Sequence, residues 1–385
     1  MANTLTNLTP DLYAALDVVS RELVGLIPAV SRDSGVERAA KDQTVRSFVA
    51  PAASAADISP GQQAPNTGDQ TFTNKTISIS KSRACPIRWN GEEQMAMNTG
   101  PGYQSMFQKQ AAQAMRTLVN EIEADLAGLH IEASNAADPN GTTLFDAANY
   151  KDLAEVRKIL NANGAPMMDR KLVLNNTAAM ELLGNATNTA VQNAGEVDML
   201  QQGILAQRFG MDLYESNQLT ESFAEGTASS STTDNAGYAI GATVITLDSA
   251  GTGTILAGDC ITIAGDANIY VVASGDADVS DGGTITLAAP GLKQAIAAST
   301  AAITVVSSAA RNMAFSKDAI HLVTRLPAVP MGGDSADDSM IIQDPRSGLA
   351  FEVRAYKECR QVHYEVAIAW GYSVIKPEHL VLLVD

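Results

Sequence analysis

GYQSMFQKQAAQAMRTLVNEIEADLAGLHIEA, running from Gly102 to Ala133, is the longest uninterrupted helical signal in the chain. Phe107, Ala111, Ala114, Leu118, Ile122 and Leu129 recur at helical spacing, and Met115, Val119 and Leu126 widen the stripe. Gln108, Lys109, Gln113, Arg116, Asn120, Glu121, Glu123 and Asp125 lie between them, which predicts a wet opposite face. Pro101 and Gly102 mark the entry, and the pattern breaks from Asn135 to Gly141. Some 30 residues at about 1.5 Å each predict a rod of roughly 45 Å, longer than most globular helices. Such a spine suits a flat, extended subunit as well as the core of a large α/β enzyme.

The 385 residues suffice for two or three cores. Aromatic residues make up 5% of them, so those cores must be built from small and aliphatic side chains. A net charge of −17 argues against gripping a nucleic-acid backbone, which takes clustered Lys and Arg. It permits close approach to DNA without adhesion. Cys85, Cys260 and Cys359 are far apart and odd in number, which suggests a reducing compartment. No basic stretch precedes an apolar run near Met1, and no window holds 18 unbroken apolar residues; neither export nor a membrane span is expected.

Outward from the spine, Thr9-Pro10-Asp11 reads as the start of a helix carrying Leu12, Leu16, Val19, Leu23 and Leu26 towards Pro28. Residues 31–43 are polar and read as a strap. Thr44–Ala50 and Thr71–Ile79 read as strands. The polar, proline-bearing link between them reads as the tip of a projecting hairpin or as a linker. Open strand edges on such an arm invite pairing with another chain. After the spine, Tyr150–Asn163 is a second helix stopped by Gly164, Lys171–Leu174 a strand, and Thr177–Leu183 a helix that Asn176 is placed to cap.

Composition changes at Ser222. From there to Ala309 the chain is rich in Gly, Thr, Ser, Ala and Asp, with Lys293 its only basic residue. Short β-branched runs at 242–247, 261–263, 269–273, 284–287 and 303–306, separated by turns, predict a small barrel or sandwich inserted into the surrounding domain. Met313–Val323 reads as a buried strand or short helix, and Asp334, Asp337 and Asp338 as an acidic loop. Strands over 349–356 and 362–370 follow, then a final strand over 380–384, and this last stretch returns to the sheet begun at Lys171.

Chemistry is sparse. No nucleophile elbow, phosphate-binding loop or dinucleotide fingerprint occurs, and Gly251-Thr252-Gly253 has no helix after it. His130, His321, His363 and His379 are scattered singly. Asp276, Asp278 and Asp281 have the wrong register for an EF-hand. Glu92-Glu93 and Asp337-Asp338 read as solvated pairs. The expectation is no catalytic residue, no metal site and no cofactor.

The order of parts resembles the major capsid proteins of tailed double-stranded DNA phages, which share the Hong Kong-phage or Johnson fold. It is most similar to the coat-protein branch of short-tailed Salmonella phages with an inserted β-barrel. Asp17-Val18-Val19-Ser20-Arg21-Glu22-Leu23 through Ile27-Pro28-Ala29-Val30 resembles the arm helix, and Gly258-Asp259-Cys260-Ile261-Thr262-Ile263-Ala264-Gly265 a barrel strand. Ser316-Lys317-Asp318-Ala319-Ile320-His321-Leu322-Val323 resembles the segment after the insert, and Ala367-Ile368-Ala369-Trp370-Gly371-Tyr372 through Lys376-Pro377-Glu378 the C-terminal strand and turn. The resemblance implies an α+β Johnson fold with an N-terminal arm (1–43), an E-loop hairpin (44–92) and a peripheral domain with the spine helix (93–149). It further implies an axial α/β domain (150–221), an inserted all-β barrel (222–310) and return strands (311–385). The implied protein is no enzyme. Its partners are copies of itself in pentamers and hexamers, a scaffolding protein, a portal protein and packaged DNA met without sequence-specific binding. It assembles in the host bacterial cytoplasm into a procapsid that expands, and it resides in the virion. The alternative is a cytosolic α/β enzyme with a β-barrel ligand module.

Overall fold

The predicted spine is α-helical from Tyr103 to Ala127 and tightens into a 3-10 turn over Gly128–Glu132. Its 25 α-helical residues span about 37 Å. Phe107, Ala111, Met115, Leu118, Ile122 and Leu126 are buried along one stripe, as the spacing requires. The computed structural model describes residues 24–49, 55, 73–97, 103–138, 144–145, 150–185, 207–344 and 348–385. Most of the helix expected from Thr9 lies outside them.

The described chain opens on one helical turn, α1 (Leu26–Ala29), followed by β1 (Ser31–Ala39), β2 (Thr44–Val49), β3 (Thr73–Ser78) and β4 (Lys81–Asn90). Next come α2 (Gly91–Met97), the spine α3 (Tyr103–Ala127), β5 (Asn135–Ala137), α4 (Lys151–Ala162), β6 (Arg170–Leu174), α5 (Asn176–Gly184) and β7 (Met211–Glu215). The insert holds β8 (Ser231–Thr232), β9 (Val244–Thr246), β10 (Cys260–Ile263), β11 (Ile269–Ser274), β12 (Thr284–Leu287) and β13 (Ala302–Val305). The chain returns through β14 (Asn312–Ser316), β15 (Ile320–Pro327), β16 (Asp338–Gln343), β17 (Ala350–Glu358), β18 (Gln361–Val374) and β19 (Leu380–Leu383).

The spine lies against a six-stranded sheet ordered β1-β15-β18-β17-β16, with β4 also paired to β18. At 14 residues β18 is long enough to serve three neighbours. It pairs with β4 along Gln361–Trp370, with β17 along Gln361–Ala367 and with β15 along Ala369–Val374. Residues 31–43, expected to form a strap, instead supply β1, which runs parallel to β15 at the sheet edge. Its polar residues suit that place, because an edge strand carries one solvated flank. The acidic loop read at 334–338 is likewise tied down. Asp334 pairs with Arg354, Asp337 lies 2.5 Å from Lys357, and Asp338 opens β16.

A second sheet runs β7-β6-β14-β19-β5. Leu172–Leu174 of β6 and Leu380–Leu383 of β19 read as apolar runs because both faces are covered. Val173, Met313, Leu380 and Leu382 join the core shared with the spine, while Leu172, Leu174, Ala314 and Val381 pack with Leu153, Val156, Leu160 and Leu182 of α4 and α5. Gly164 adopts φ +72°, the left-handed conformation of a helix stop. The cap on α5 is Asn175 rather than Asn176; its side chain accepts from the Ala178 amide at 2.8 Å.

The insert closes into a barrel. Its strands follow β9-β12-β11-β10-β13-β8, and β8 returns to β9 through a Thr233–Leu247 bridge, with the Asp234 amide donating to Thr246 O at 3.0 Å. Ile245, Ile261, Ile263, Tyr270, Val272, Ile285 and Ile303 fill it, whereas Cys260 and Val271, facing outward on the same strands, enter the spine's core. The barrel is therefore joined to the body by more than its two connecting segments. β11 pairs with β5 (Ile269 with Ala136, Tyr270 with Asn135), so that the second sheet runs on into the barrel wall. Asn135 Nδ2 donates to Ile269 O at 3.0 Å, and Lys293 donates to the Asn163 side chain.

Candidate interaction surfaces

A hairpin offers backbone edges only if something holds its base, since two strands alone are marginal in water. β2 and β3 pair with each other from Thr44–Ser78 to Val49–Thr73 and with no other described strand. The base is seated by Ile77 and Ile79, buried with Val323, Ala369 and Ile375. Two backbone bonds clamp it, from the Asp42 amide to Ile79 O and from the Ile79 amide to Gln43 O, each 2.9 Å. The expected tip, residues 51–70, lies outside the described residues except for Ala55. Where the hairpin crosses β18, a Cβ on Gly371 would lie 2.1 Å from the Ser78 carbonyl oxygen. Gly371→Val is therefore expected to displace the hairpin base and to cost about 2–3 kcal/mol, by the mechanism of overpacking. Urea unfolding gives the cost, and proteolysis within 44–79 reports the displacement.

Three anchors fix the parts around the spine. Glu123 is 1% exposed and accepts from the Leu26 and Ile27 amides at 3.1 and 2.8 Å and from Ser216 Oγ at 2.9 Å. Burial pushes its pKa up, and the three donors pull against that. Asp125 accepts from Lys81 Nζ at 2.7 Å and from Trp370 Nε1 at 2.8 Å, binding the spine to β4 and β18 at once. Arg38 of β1 grips the buried Glu352 of β17 through both carboxylate oxygens, at 3.0 and 2.5 Å, the two-pronged geometry that favours arginine. The spacing puts Glu123 and Asp125 on the spine's wet face, but Glu123 is buried and Asp125 half-buried, because partners distant in the chain cover them.

The residues the sequence singled out are not brought together. Asn90 and Glu93 form a capping box at α2, with the Asn90 amide donating to Glu93 Oε2 at 3.0 Å and the Glu93 amide to Asn90 Oδ1 at 2.7 Å. Asp276 and Asp278 accept from the Asp278 and Ser280 amides of their own turn. Gly251 and Gly253 adopt φ +91° and +94° in the turns joining barrel strands. His363 stacks near Tyr356, His321 sits in β15, and His130 lies against the insert beside Phe223. Among the described residues no group of three or more His, Cys, Asp or Glu is placed to hold a metal ion, and no helix is long and apolar enough to cross a membrane.

What the described surface offers is edges and exposed apolar side chains. β1, β16 and β4 bound the first sheet, and Ile341 of β16, Val36 of β1 and Met331 before β16 are exposed. A groove of about 750 Å³ lies between α2 and the β17–β18 turn. Its lining mixes Trp89, Met95 and Val362 with Glu92, Lys357 and Arg360.

No protein-family model matches the chain, and no curated protein does. Solved structures do. A structure from Mycobacterium phage Che8 is 11% identical, with 89% of this chain and 85% of that one covered at a TM-score of 0.47. The capsid of cyanophage P-SCSP1u is 12% identical, with 92% and 86% covered at 0.48. A virus-like particle from Pyrococcus furiosus is 10% identical, with 98% and 100% covered at 0.44. At these identities the likeness is one of chain course.

Proposed function

We propose that this chain is the major capsid protein of a tailed double-stranded DNA phage, built on the Johnson fold in the branch that carries an inserted barrel. The observation that carries the reading is the seating of the β2–β3 hairpin. Among the described strands, two leave the body paired only with each other, from a base held by Ile77, Ile79 and the close approach at Gly371. An arm of this kind finds its partner on another molecule. The spine across the six-stranded sheet gives it a rigid platform, and the sequence resemblance supplies the same order of parts.

In this reading the work is assembly rather than catalysis. Copies form rings of five and six, co-assemble with a scaffolding protein around a portal into a procapsid in the bacterial cytoplasm, and expand as DNA enters. Closed symmetry multiplies weak contacts, so polar arms suffice. The net charge of −17 lets packaged DNA slide past without sequence-specific binding. Residues 1–43 act as the arm, 44–92 as the E-loop, 93–149 as the peripheral domain, 150–221 with 311–385 as the axial part, and 222–310 as the insert.

Electron microscopy of the chain co-expressed with its scaffold tests the proposal. Shells or rings are expected from the full chain, and a folded subunit without stable shells from a deletion of residues 52–69. Normal particles from that deletion remove the hairpin from the mechanism. Lone molecules from the full chain, or a small oligomer that turns over a small compound, favour the enzyme alternative.

A further inference from the structure

The segments that enter and leave the barrel run side by side at its root. The Phe223 amide donates to Ala309 O at 2.9 Å and the Arg311 amide to Thr220 O at 3.1 Å. The Phe223 ring is the hub of this root. The Arg311 guanidinium carbon lies 4.1 Å from its centroid, and His130, in the 3-10 turn ending the spine, meets it edge-on with centroids 5.6 Å apart. Gly258 of the barrel completes the enclosure. A Cβ there would lie 3.0 Å from His130 Nε2 and 2.9 Å from a Phe223 ring carbon.

The polar atoms around this ring are unevenly matched. His130 Nδ1 is 3.0 Å from Ala127 O, which places the neutral ring's proton on Nδ1 and leaves Nε2 an acceptor. Nε2 is buried with no partner. Arg311 is 1% exposed; its Nη1 donates to Ser308 O and Ala310 O, while Nε and Nη2 are buried donors with no acceptor. The charged groups around them are otherwise engaged. Asp259 accepts from the Gly226 and Leu256 amides, and Glu225 accepts from the Ser308 amide. Burial pushes the Cys260 thiol up to about 11, so it stays neutral. Glu132, two residues along the same turn, feels Lys75.

We infer that the barrel root is an acid-sensitive hinge, in which the His130 ring helps hold the insert against the spine, through its contact with Phe223, only while Nε2 is an unprotonated acceptor. Protonation turns that acceptor into a donor and sets a second cation near Arg311, beside a Phe223 ring that both share. Burial, and secondarily the charge of Arg311, hold the His130 pKa below its ordinary value near 6.5, against the pull of Ala127 O. The neutral form is thus the one the folded root prefers. Its stabilisation is complete above pH 6.5 and is lost progressively as pH falls below that value.

Hydrogen exchange on the full chain tests this, with rates corrected for the intrinsic pH dependence. Between about pH 7.5 and about pH 5.5, protection at Phe223–Gly226 and Ile269–Val272 is expected to fall roughly three- to tenfold relative to β14 and β19, the low end of what one buried donor without an acceptor costs. His130→Gln keeps an acceptor oxygen and does not titrate, so it is expected to abolish that fall. An undiminished root in the wild type, or the same fall in His130→Gln, overturns the hinge. Should that variant not fold, the wild type still decides. The His130 resonance, assigned by replacing the other three histidines, is expected to titrate with a midpoint below 6.5, and a midpoint at or above it overturns the inference.

Discussion

Glu123→Ala is expected to lower the free energy of unfolding by about 3–5 kcal/mol, read as a fall in the urea midpoint at unchanged slope. The carboxylate answers three donors at once, two amides of α1 and the Ser216 hydroxyl, and it is 1% exposed. Truncation leaves those donors buried without an acceptor, each at about 1–3 kcal/mol, less whatever the site recovers by relaxing. A helix start ordinarily finds its cap in its own N-cap side chain. Here the N-cap is Gly25, where a Cβ would meet Glu215 O at 2.4 Å. Close packing on β7 thus excludes a local cap, and the spine provides one from 97 residues away. Glu123→Gln keeps one acceptor oxygen but turns an N–H group towards donors, so about 2 kcal/mol of loss is expected. The contrast separates the hydrogen-bonding role from simple volume. Both variants should also free the chain near Val24 to proteolysis, since this side chain ties α1 to the spine and to the end of β7 and keeps Leu26 and Ile27 seated in the core.

The parts legible in the sequence were those whose signal is local. The spine shows in its apolar stripe, the insert in the compositional break at Ser222, and the doubly covered strands β6 and β19 in the apolar runs Leu172–Leu174 and Leu380–Leu383. β4 was missed although Cys85, Ile87 and Trp89 alternate, because Pro86 and the intervening Arg83 and Arg88 disguise a strand paired on one side only with β18. β1 reads as a strap, and β16 carries no strand signal beyond Asp338 of the acidic loop, because edge strands carry polar residues and charge. The long-range joints were invisible for a different reason. Arg38 and Glu352 are 314 residues apart, and nothing in either neighbourhood names the other. The seam between β5 and β11 was hidden too, since Asn135-Ala136-Ala137 is too short to carry a periodicity. His130 offered no signal beyond being a histidine, and its place at the barrel root emerges only when the spine's end, Phe223 and Arg311 are brought together by the fold.

Trp370→Ala is expected to cost about 3–5 kcal/mol and to loosen the spine from the sheet. The indole is fully buried, the largest such side chain among the described residues, so the cavity dominates the loss. Its hydrogen bond to Asp125 Oδ2, 2.8 Å long, adds a smaller share of about 1–2 kcal/mol. The two contributions can be told apart. Trp370→Phe keeps most of the volume but loses the N–H, and Asp125→Asn keeps the volume but weakens the acceptor and gives up the charge that Lys81 Nζ meets at 2.7 Å. A double-mutant cycle between them is expected to return a coupling of about 1 kcal/mol, with the remainder of the alanine effect left as packing. Lys81 also lies 6.0 Å from the Trp370 ring centroid and pairs with Trp370 in the β4–β18 register, so a single cluster locks the spine, β4 and β18 together. That cluster sits one residue from Gly371, where the hairpin crosses. Loosening it should therefore raise proteolysis at the hairpin base as well as lower the unfolding midpoint. A Trp370→Ala protein that loses less than about 1.5 kcal/mol and keeps its hairpin protected would place the platform's rigidity elsewhere.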